Sequence, residues 1–448
     1  MKFQTTTKKR IASLICATVM LFMLCISVFA DDIDTSSPPE ITNAQSAYLY
    51  NFENDRVLLE YNSADRVYPA STVKIMTAIV AAEYFAADLD QNISITQSML
   101  DEVNGNRIGF QAGEVVTARQ MLTCMLVNSA NDAAIILAHS VAGSTEKFVE
   151  LMNKKASEIG AYDTYYTNPT GMHNDAMITT AKDTAVISKY AYSIPGLIDM
   201  TSTPKYVMPA TNLSDYRNIY NRNSLLSNYY NAGYYYTGTL GLNAGGTSQG
   251  GYSICAIAED AESGLTYLAV VLGAEENDDG IYSYKNAISM LDWAFEAYAY
   301  RNVLSTDKMI CELPVELSST LDYVTLVPSE SITVYLPTDI DLDSEIRYSY
   351  NTYEDSLDAP VESGQKVGMI TVLWGDTILG SCSLITTSSI TRSEFLYFLS
   401  RVSSFTEGRF FRGTLVGIVV ISIAYALITA ALREKKLRRS YSNYKRKQ

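Results

Sequence analysis

Two apolar stretches, 46–51 and 56–61, flank Glu53-Asn54-Asp55 and predict a β-hairpin near the start of the chain. Apolar patterns of helical period follow at about 72–86, 117–127, 131–142, 145–159 and 180–193. A second hairpin is predicted by 252–259 and 265–273 around Asp260-Ala261-Glu262-Ser263-Gly264, and an amphipathic helix over 281–300 closes the region. Strands at both ends with helices between them predict an α+β domain, its distant strands meeting in one antiparallel sheet flanked by a helical cluster. From about 305 the pattern changes to short alternating strands at 323–327, 331–336, 367–374 and 377–386, the mark of a small all-β module. Residues 390–412, with Phe395, Leu396, Phe398 and Leu399, read as a helical stalk.

The two ends add an address. Lys2, Lys8, Lys9 and Arg10 precede an apolar run at 11–28, and Val28-Phe29-Ala30 offers a cleavage site before Asp31. Residues 1–30 thus read as a secretory signal, with an uncleaved N-terminal anchor as the open alternative. The uncharged run 413–432 is long enough to cross a bilayer core. Behind it stand Arg433, Lys435, Lys436, Arg438, Arg439, Lys445, Arg446 and Lys447 against Glu434 alone, which predicts a cytoplasmic tail over 433–448 and an extracytoplasmic body. The expected division is therefore an α+β domain over 31–300, a β domain over 305–389, a juxtamembrane stalk over 390–412, and a transmembrane helix over 413–432.

Over its 448 residues the chain carries a net charge of −15, and without its basic ends the body is more acidic still, which argues against nucleic acid as a partner. Its two histidines, His139 and His173, exclude a His-rich metal site, and neither a metal nor another cofactor is expected. Cys124 and Cys255 fall in apolar runs and read as core. Cys311 and Cys382 are open to two readings, a disulfide or unpaired burial.

Candidate chemistry begins at Tyr68-Pro69-Ala70-Ser71-Thr72-Val73-Lys74-Ile75-Met76-Thr77. Residues three apart on a helix are neighbours, so Lys74 can act as the base that makes Ser71 a nucleophile. The S-x-x-K pattern recurs at Ser144/Lys147, Ser202/Lys205, Ser305/Lys308, Ser363/Lys366 and Ser442/Lys445, but only Ser71 heads an apolar helix with a second serine motif downstream. That second motif, Ser129-Ala130-Asn131, lies between two helical runs, where a short connection can present a hydroxyl and a carboxamide to a cleft. Standing alone it would read as an N-cap.

With Leu126-Val127-Asn128-Ser129-Ala130-Asn131-Asp132, Asn168-Pro169-Thr170-Gly171-Met172 and Thr179-Thr180-Ala181-Lys182-Asp183, these passages resemble the low-molecular-mass penicillin-binding proteins, the serine D-alanyl-D-alanine carboxypeptidases. The stretch from Leu357 to Gly368 resembles that family's membrane-proximal β domain. The resemblance implies the serine β-lactamase or penicillin-binding fold type. It implies Ser71 as the acylated nucleophile, Lys74 as general base, Ser129 as proton relay and Asn131 as a substrate-binding residue. Peptidoglycan stem peptides are the implied substrate and β-lactams the implied covalent inhibitors.

The third motif departs. Where the family carries Lys-Thr-Gly, this chain has Asn243-Ala244-Gly245, followed by Gly246 and Thr247. Asn243, Gly245, Gly246 and Thr247 are the expected substrate-binding positions on this strand, and Gly246 N–H the expected second oxyanion donor. Loss of the lysine predicts weak carboxypeptidase activity limited by recognition of the terminal carboxylate, unless Lys205 or Arg222 supplies the cation. The competing expectations are a non-catalytic wall-binding scaffold, and a related peptidase or esterase with another substrate terminus. Gly246-Thr247-Ser248-Gln249-Gly250 spells a nucleophile elbow, but a strand-like run follows it instead of a helix, and the glycines of 238–251 lack the Gly-Lys-Ser/Thr ending of a phosphate loop. Tyrosine is abundant (33). The cluster Tyr229, Tyr230, Tyr234, Tyr235 and Tyr236 reads as strand packing, with stacking on sugar rings as the alternative.

Overall fold

The computed structural model describes residues 37–445, so the signal at 1–30 and residues 446–448 lie outside the described residues. The chain divides after Tyr300 into two compact units, with Tyr335–Ile340 belonging to the first.

The first unit opens with β1 (Ser46–Asn51) and β2 (Arg56–Tyr61). Helices α1 (Val73–Tyr84), α2 (Ala118–Asn128), α3 (Asn131–Ala142), α4 (Thr145–Glu158) and α5 (Ala181–Ser193) follow. A small hairpin, β3 (Lys205–Met208) with β4 (Arg217–Tyr220), precedes β5 (Thr239–Thr247), β6 (Gly251–Asp260), β7 (Leu265–Ala274) and α6 (Tyr282–Ala297). The expected helix over 281–300 ends at Ala297, and extended chain begins at Tyr298. The hairpin β3–β4 was not legible in the apolar pattern.

The sheet has strand order β2-β1-β7-β6-β5, antiparallel throughout. Its inner strand β7 reads as a continuous apolar run because both faces are covered. Leu268, Val270 and Leu272 join the core under the helical cluster, whereas Tyr267, Ala269 and Val271 join the core formed with Ala287, Met290 and Leu291 of α6. Helix α1 is buried at every position from Val73 to Ala82, as befits a helix apolar all round at the centre of a cluster. This burial takes Lys74 with it.

Two ties hold the walls around α1. Thr117 caps α2 through a capping box with Gln120. Arg217 of β4 donates two hydrogen bonds to the fully buried carboxylate of Glu114, at 2.6 and 2.9 Å, and Thr211 adds a third at 2.8 Å. The pair fastens the 102–114 loop to the β3–β4 hairpin.

In the second unit β8 (Cys311–Glu316), β9 (Tyr323–Pro328), β10 (Ile346–Thr352), β11 (Leu357–Asp358), β12 (Lys366–Trp374) and β13 (Thr377–Thr386) form a six-stranded sheet of order β10-β12-β13-β9-β8-β11. Cys311 and Cys382 are free. They stand on β8 and β13, with β9 between them, and two strand spacings of about 4.8 Å exceed what a disulfide spans. After the sheet, α7 (Glu394–Glu407) is capped by Ser393 and ends at Gly408, and α8 (Arg409–Lys445) follows. Its segment Arg409–Leu437 is long and apolar enough to cross a membrane.

Removing one partner of the buried Glu114–Arg217 pair strands a charge. Arg217→Met is expected to lower unfolding stability by about 3–5 kcal/mol, measured by denaturant unfolding, and the added change Glu114→Gln should restore part of that loss.

Candidate active site

Ser71 sits in a short 3-10 turn, Ala70–Thr72, that runs directly into α1. Lys74 falls in the first helical turn and is 1% exposed. Its Nζ donates to the Thr170 carbonyl. That carbonyl is held in place by Asn168, whose Oδ1 accepts from Thr170 N–H at 3.1 Å and Gly171 N–H at 2.9 Å. Gly171 has φ +80°, and a Cβ there would lie 2.0 Å from the Ala70 carbonyl oxygen, so only glycine lets this loop close on the Ser71 turn. The Asn168-Pro169-Thr170-Gly171 motif is thus the support of the lysine.

Burial, joined by the positive charge of Arg222, pushes the Lys74 amine down to about 7. A lysine so placed gives up its proton far more readily than an exposed one and can accept a proton from a hydroxyl.

Ser129 ends α2 in the left-handed region, φ +54°, which turns its side chain out of the helical stack. It is buried, and its Oγ has no hydrogen-bond partner. Asn131 starts α3; its Nδ2 donates to Asn104 O at 2.6 Å, and its N–H donates to Asn106 O at 2.7 Å. Next to it, Asp132 accepts from Ile108 N–H and Gly109 N–H at 3.0 and 2.9 Å. The 104–109 loop is therefore pinned onto the start of α3.

Ser71, Lys74, Ser129, Asn131, Gly245, Gly246 and Thr247 line one cavity of about 220 Å³, together with Arg222. A Cβ on Gly245 would stand 2.6 Å from Ser71 Oγ, so strand β5 passes the serine at a distance that only glycine permits. Thr247 also accepts from Gly250 N–H at 2.9 Å, closing the β5–β6 turn. Ser248 lies in that same turn, between two strands.

Asn243 is the sequence-predicted residue that does not line the cavity. Side chains two apart on a strand share a face, so Asn243 points the same way as Gly245. It is 1% exposed, and neither its Oδ1 nor its Nδ2 has a hydrogen-bond partner among the described residues. Arg222, which the sequence suggested only as a substitute cation, instead borders the cavity. Its Nη2 donates to Asn106 Oδ1 at 3.0 Å, its guanidinium stacks 4.5 Å from the Tyr230 ring centroid, and its buried Nε is unpartnered. Lys205 lies against the Tyr220 ring, 5.3 Å from its centroid, and does not border the cavity. Sequence reasoning missed Thr170 and the Asn104–Asn106 loop as parts of the site. The Asn168-Pro169-Thr170-Gly171 text carried the first signal without assigning it a role.

Residues 32–276 match the family profile of D-alanyl-D-alanine carboxypeptidase, and residues 298–392 match that of the penicillin-binding protein 5 C-terminal domain. The chain is 26% identical to the D-alanyl-D-alanine carboxypeptidase DacF of Bacillus subtilis over 88% of its own length and 97% of that protein's. It is also 26% identical to DacC of Escherichia coli, covering 78% and 84% respectively. Among solved structures, DacD of Francisella tularensis aligns at a TM-score of 0.57 and 23% identity, covering 81% of this chain and 97% of that one, a likeness of fold. The D-alanyl-D-alanine carboxypeptidase of Mycobacterium tuberculosis aligns at 0.52 and 27% identity over 58% of this chain and 94% of its own. By profile, relatives and fold, the chain belongs to the serine D-alanyl-D-alanine carboxypeptidase family of low-molecular-mass penicillin-binding proteins.

Proposed function

We propose that this protein is a membrane-anchored, extracytoplasmic carboxypeptidase that removes the terminal D-alanine from peptidoglycan stem peptides through a Ser71 acyl-enzyme. The observation that carries this reading is the single cavity in which Ser71, buried Lys74, Ser129 and Asn131 face Gly245 and Gly246 of β5. In the proposed reaction neutral Lys74 takes the Ser71 proton, and Oγ attacks the carbonyl of the penultimate residue. The N–H groups of Ser71 and Gly246 hold the oxyanion. Ser129 passes the proton to the leaving amine, D-alanine departs, and water, deprotonated by Lys74, releases the shortened peptide. Asn131 has its Nδ2 engaged by Asn104, which leaves its Oδ1 to accept a substrate N–H.

The terminal carboxylate is assigned to Arg222. Asn243 brings no charge and does not line the cavity, whereas Arg222 borders it with Nε unpartnered among the described residues. A guanidinium is suited to a carboxylate.

The apolar segment Arg409–Leu437 and the basic residues after 432 support the topology, with the stalk at 390–412 leading from the β domain to the bilayer. Protease added to spheroplasts is expected to digest the body and spare a C-terminal tag; protection of the body would reverse the orientation.

Acylation tests the nucleophile. A labelled penicillin is expected to form a covalent adduct that Ser71→Ala abolishes and Lys74→Ala slows by on the order of 100-fold or more. An adduct surviving in Ser71→Ala moves the chemistry elsewhere. Absence of any adduct with several β-lactams favours the non-catalytic scaffold.

Arg222→Gln separates recognition from proton transfer. On peptides with a free terminal carboxylate it should lower kcat/KM by on the order of 10- to 100-fold, and much less on amidated counterparts. Because the arginine's charge holds the Lys74 amine down, its removal raises that pKa, and less neutral base remains at neutral pH. The acid limb of acylation by a carboxylate-free ester, centred near 7 in the parent, should therefore move to higher pH. An unmoved limb would show that burial alone, and not the charge of Arg222, sets the titration of the base.

A further inference from the structure

The tyrosines after 228 divide by what they touch. Tyr234 accepts from Ile281 N–H at 2.7 Å, and Tyr236 packs against the core shared with α6. Tyr230 meets a cation: the Arg222 guanidinium lies over its ring, 4.5 Å from the centroid. Arg222 borders the Ser71 cavity and Tyr230 does not, so whatever Tyr230 does for that cavity passes through the arginine. A free arginine side chain samples many rotamers. Binding an anion in one orientation costs affinity unless that orientation is already held.

Tyr230 is itself braced. Its hydroxyl accepts from Asn128 Nδ2 at 2.9 Å, and Asn128 is the last residue of α2, beside Ser129. The same Nδ2 donates to the Tyr220 carbonyl at 3.3 Å. Tyr229 stands edge-on to Tyr230 with centroids 5.1 Å apart, and lies flat on Tyr220 at 3.7 Å with planes 3° from parallel. Tyr220 ends β4, the strand that Arg217 ties to Glu114. The ring under the guanidinium therefore rests on both α2 and β4. At the arginine, the backbone N–H donates to Val127 O at 2.8 Å, and the carbonyl accepts from the Tyr284 hydroxyl at 3.1 Å. Nη2 donates to Asn106 Oδ1 at 3.0 Å. These bonds fix the main chain and one corner of the head group, and the Tyr230 ring supplies the surface against which the rest of it lies. The buried Nε keeps its proton without a partner among the described residues.

We propose that Tyr230 is a positioning residue for substrate recognition: its braced ring holds the Arg222 guanidinium in the orientation that presents Nε–H to a terminal carboxylate. The proposal rests on the assignment of that carboxylate to Arg222, and makes a separate claim about what orients the arginine.

The full-length chain carrying Ser71→Ala, in which the proposed reaction cannot proceed, is titrated in detergent with an N-acetylated peptide ending in D-Ala-D-Ala and with its C-terminal amide. The free acid is expected to bind more tightly, and Arg222→Gln to remove that preference. Tyr230→Leu should weaken binding of the acid about 3- to 10-fold, the range of a lost cation–ring contact, and leave the amide unchanged. Tyr230→Phe keeps the ring and should lose much less. In the Arg222→Gln background, Tyr230→Leu should have no further effect, since its partner is gone. Hydrolysis of the acid by the chain with Ser71 intact is followed in parallel. A Tyr230-dependent preference for the acid without hydrolysis would refute the carboxypeptidase reading and uphold the positioning role. Hydrolysis with no preference for the acid, or with a preference that Tyr230→Leu leaves intact, would refute the positioning role alone. Equal weakening of acid and amide would make Tyr230 a merely structural residue, and equal losses in Tyr230→Phe and Tyr230→Leu would assign the effect to the hydroxyl; either result overturns the proposal.

Discussion

Burial of a lysine is the constraint around which the first unit is arranged. An ammonium with no exposed surface is stable only if it loses its proton or finds acceptors. The chain supplies an acceptor in the Thr170 carbonyl, and Arg222 adds charge that favours proton loss. Each provision draws in further residues. Thr170 is held by the Asn168 turn, and Gly171 must pass against Ala70. Ala70 itself takes a positive φ of 48°, which positions Ser71 at the mouth of α1. The strain at Ala70 and at Ser129 is concentrated in the two turns that deliver hydroxyls to the cavity.

A second set of dependencies runs through the amides. Asn106 donates to Asn128 O at 2.7 Å and accepts from Arg222, while Asn128 donates to Tyr230. The 104–109 loop, the end of α2, Arg222 and Tyr230 are therefore one hydrogen-bonded network. Displacing any member leaves buried polar groups without partners, at about 1–3 kcal/mol for each. This coupling explains how a loop without secondary structure forms a fixed wall of the cavity.

Much of this was legible in the chain. The two serine motifs, the apolar α1 and the hairpins at 46–61 and 252–273 are local signals, and local signals survive into the fold. Burial of β7 on both faces was visible as an unbroken apolar run. What escaped was non-local. Nothing near Thr170 announces that its carbonyl will meet Lys74, 96 residues earlier. The β3–β4 hairpin is short and half exposed, so its alternation carries little signal, and it is fixed by a charge pair with Glu114 from a distant loop. The choice between a disulfide and free thiols at Cys311 and Cys382 depended on which strand lies between them, a matter of sheet order. For the tyrosine cluster, composition could not separate Tyr234 and Tyr236, which pack against the core, from Tyr229, which is largely exposed.

The third motif is where sequence and geometry lead to different physical questions. Read along the chain, Asn243 is a lysine lost, and the expectation is a weakened site. Read in three dimensions, position 243 is buried on the same face as Gly245, and neither amide atom of the asparagine has a hydrogen-bond partner among the described residues. Under the proposed reaction, Lys74 would take up the proton and Arg222 would meet the carboxylate. Of Arg222 and Asn243, the first lines the cavity and the second does not, which is the basis on which the proposed reaction gives the carboxylate to the arginine. The buried, unpartnered asparagine remains as the local cost of that arrangement.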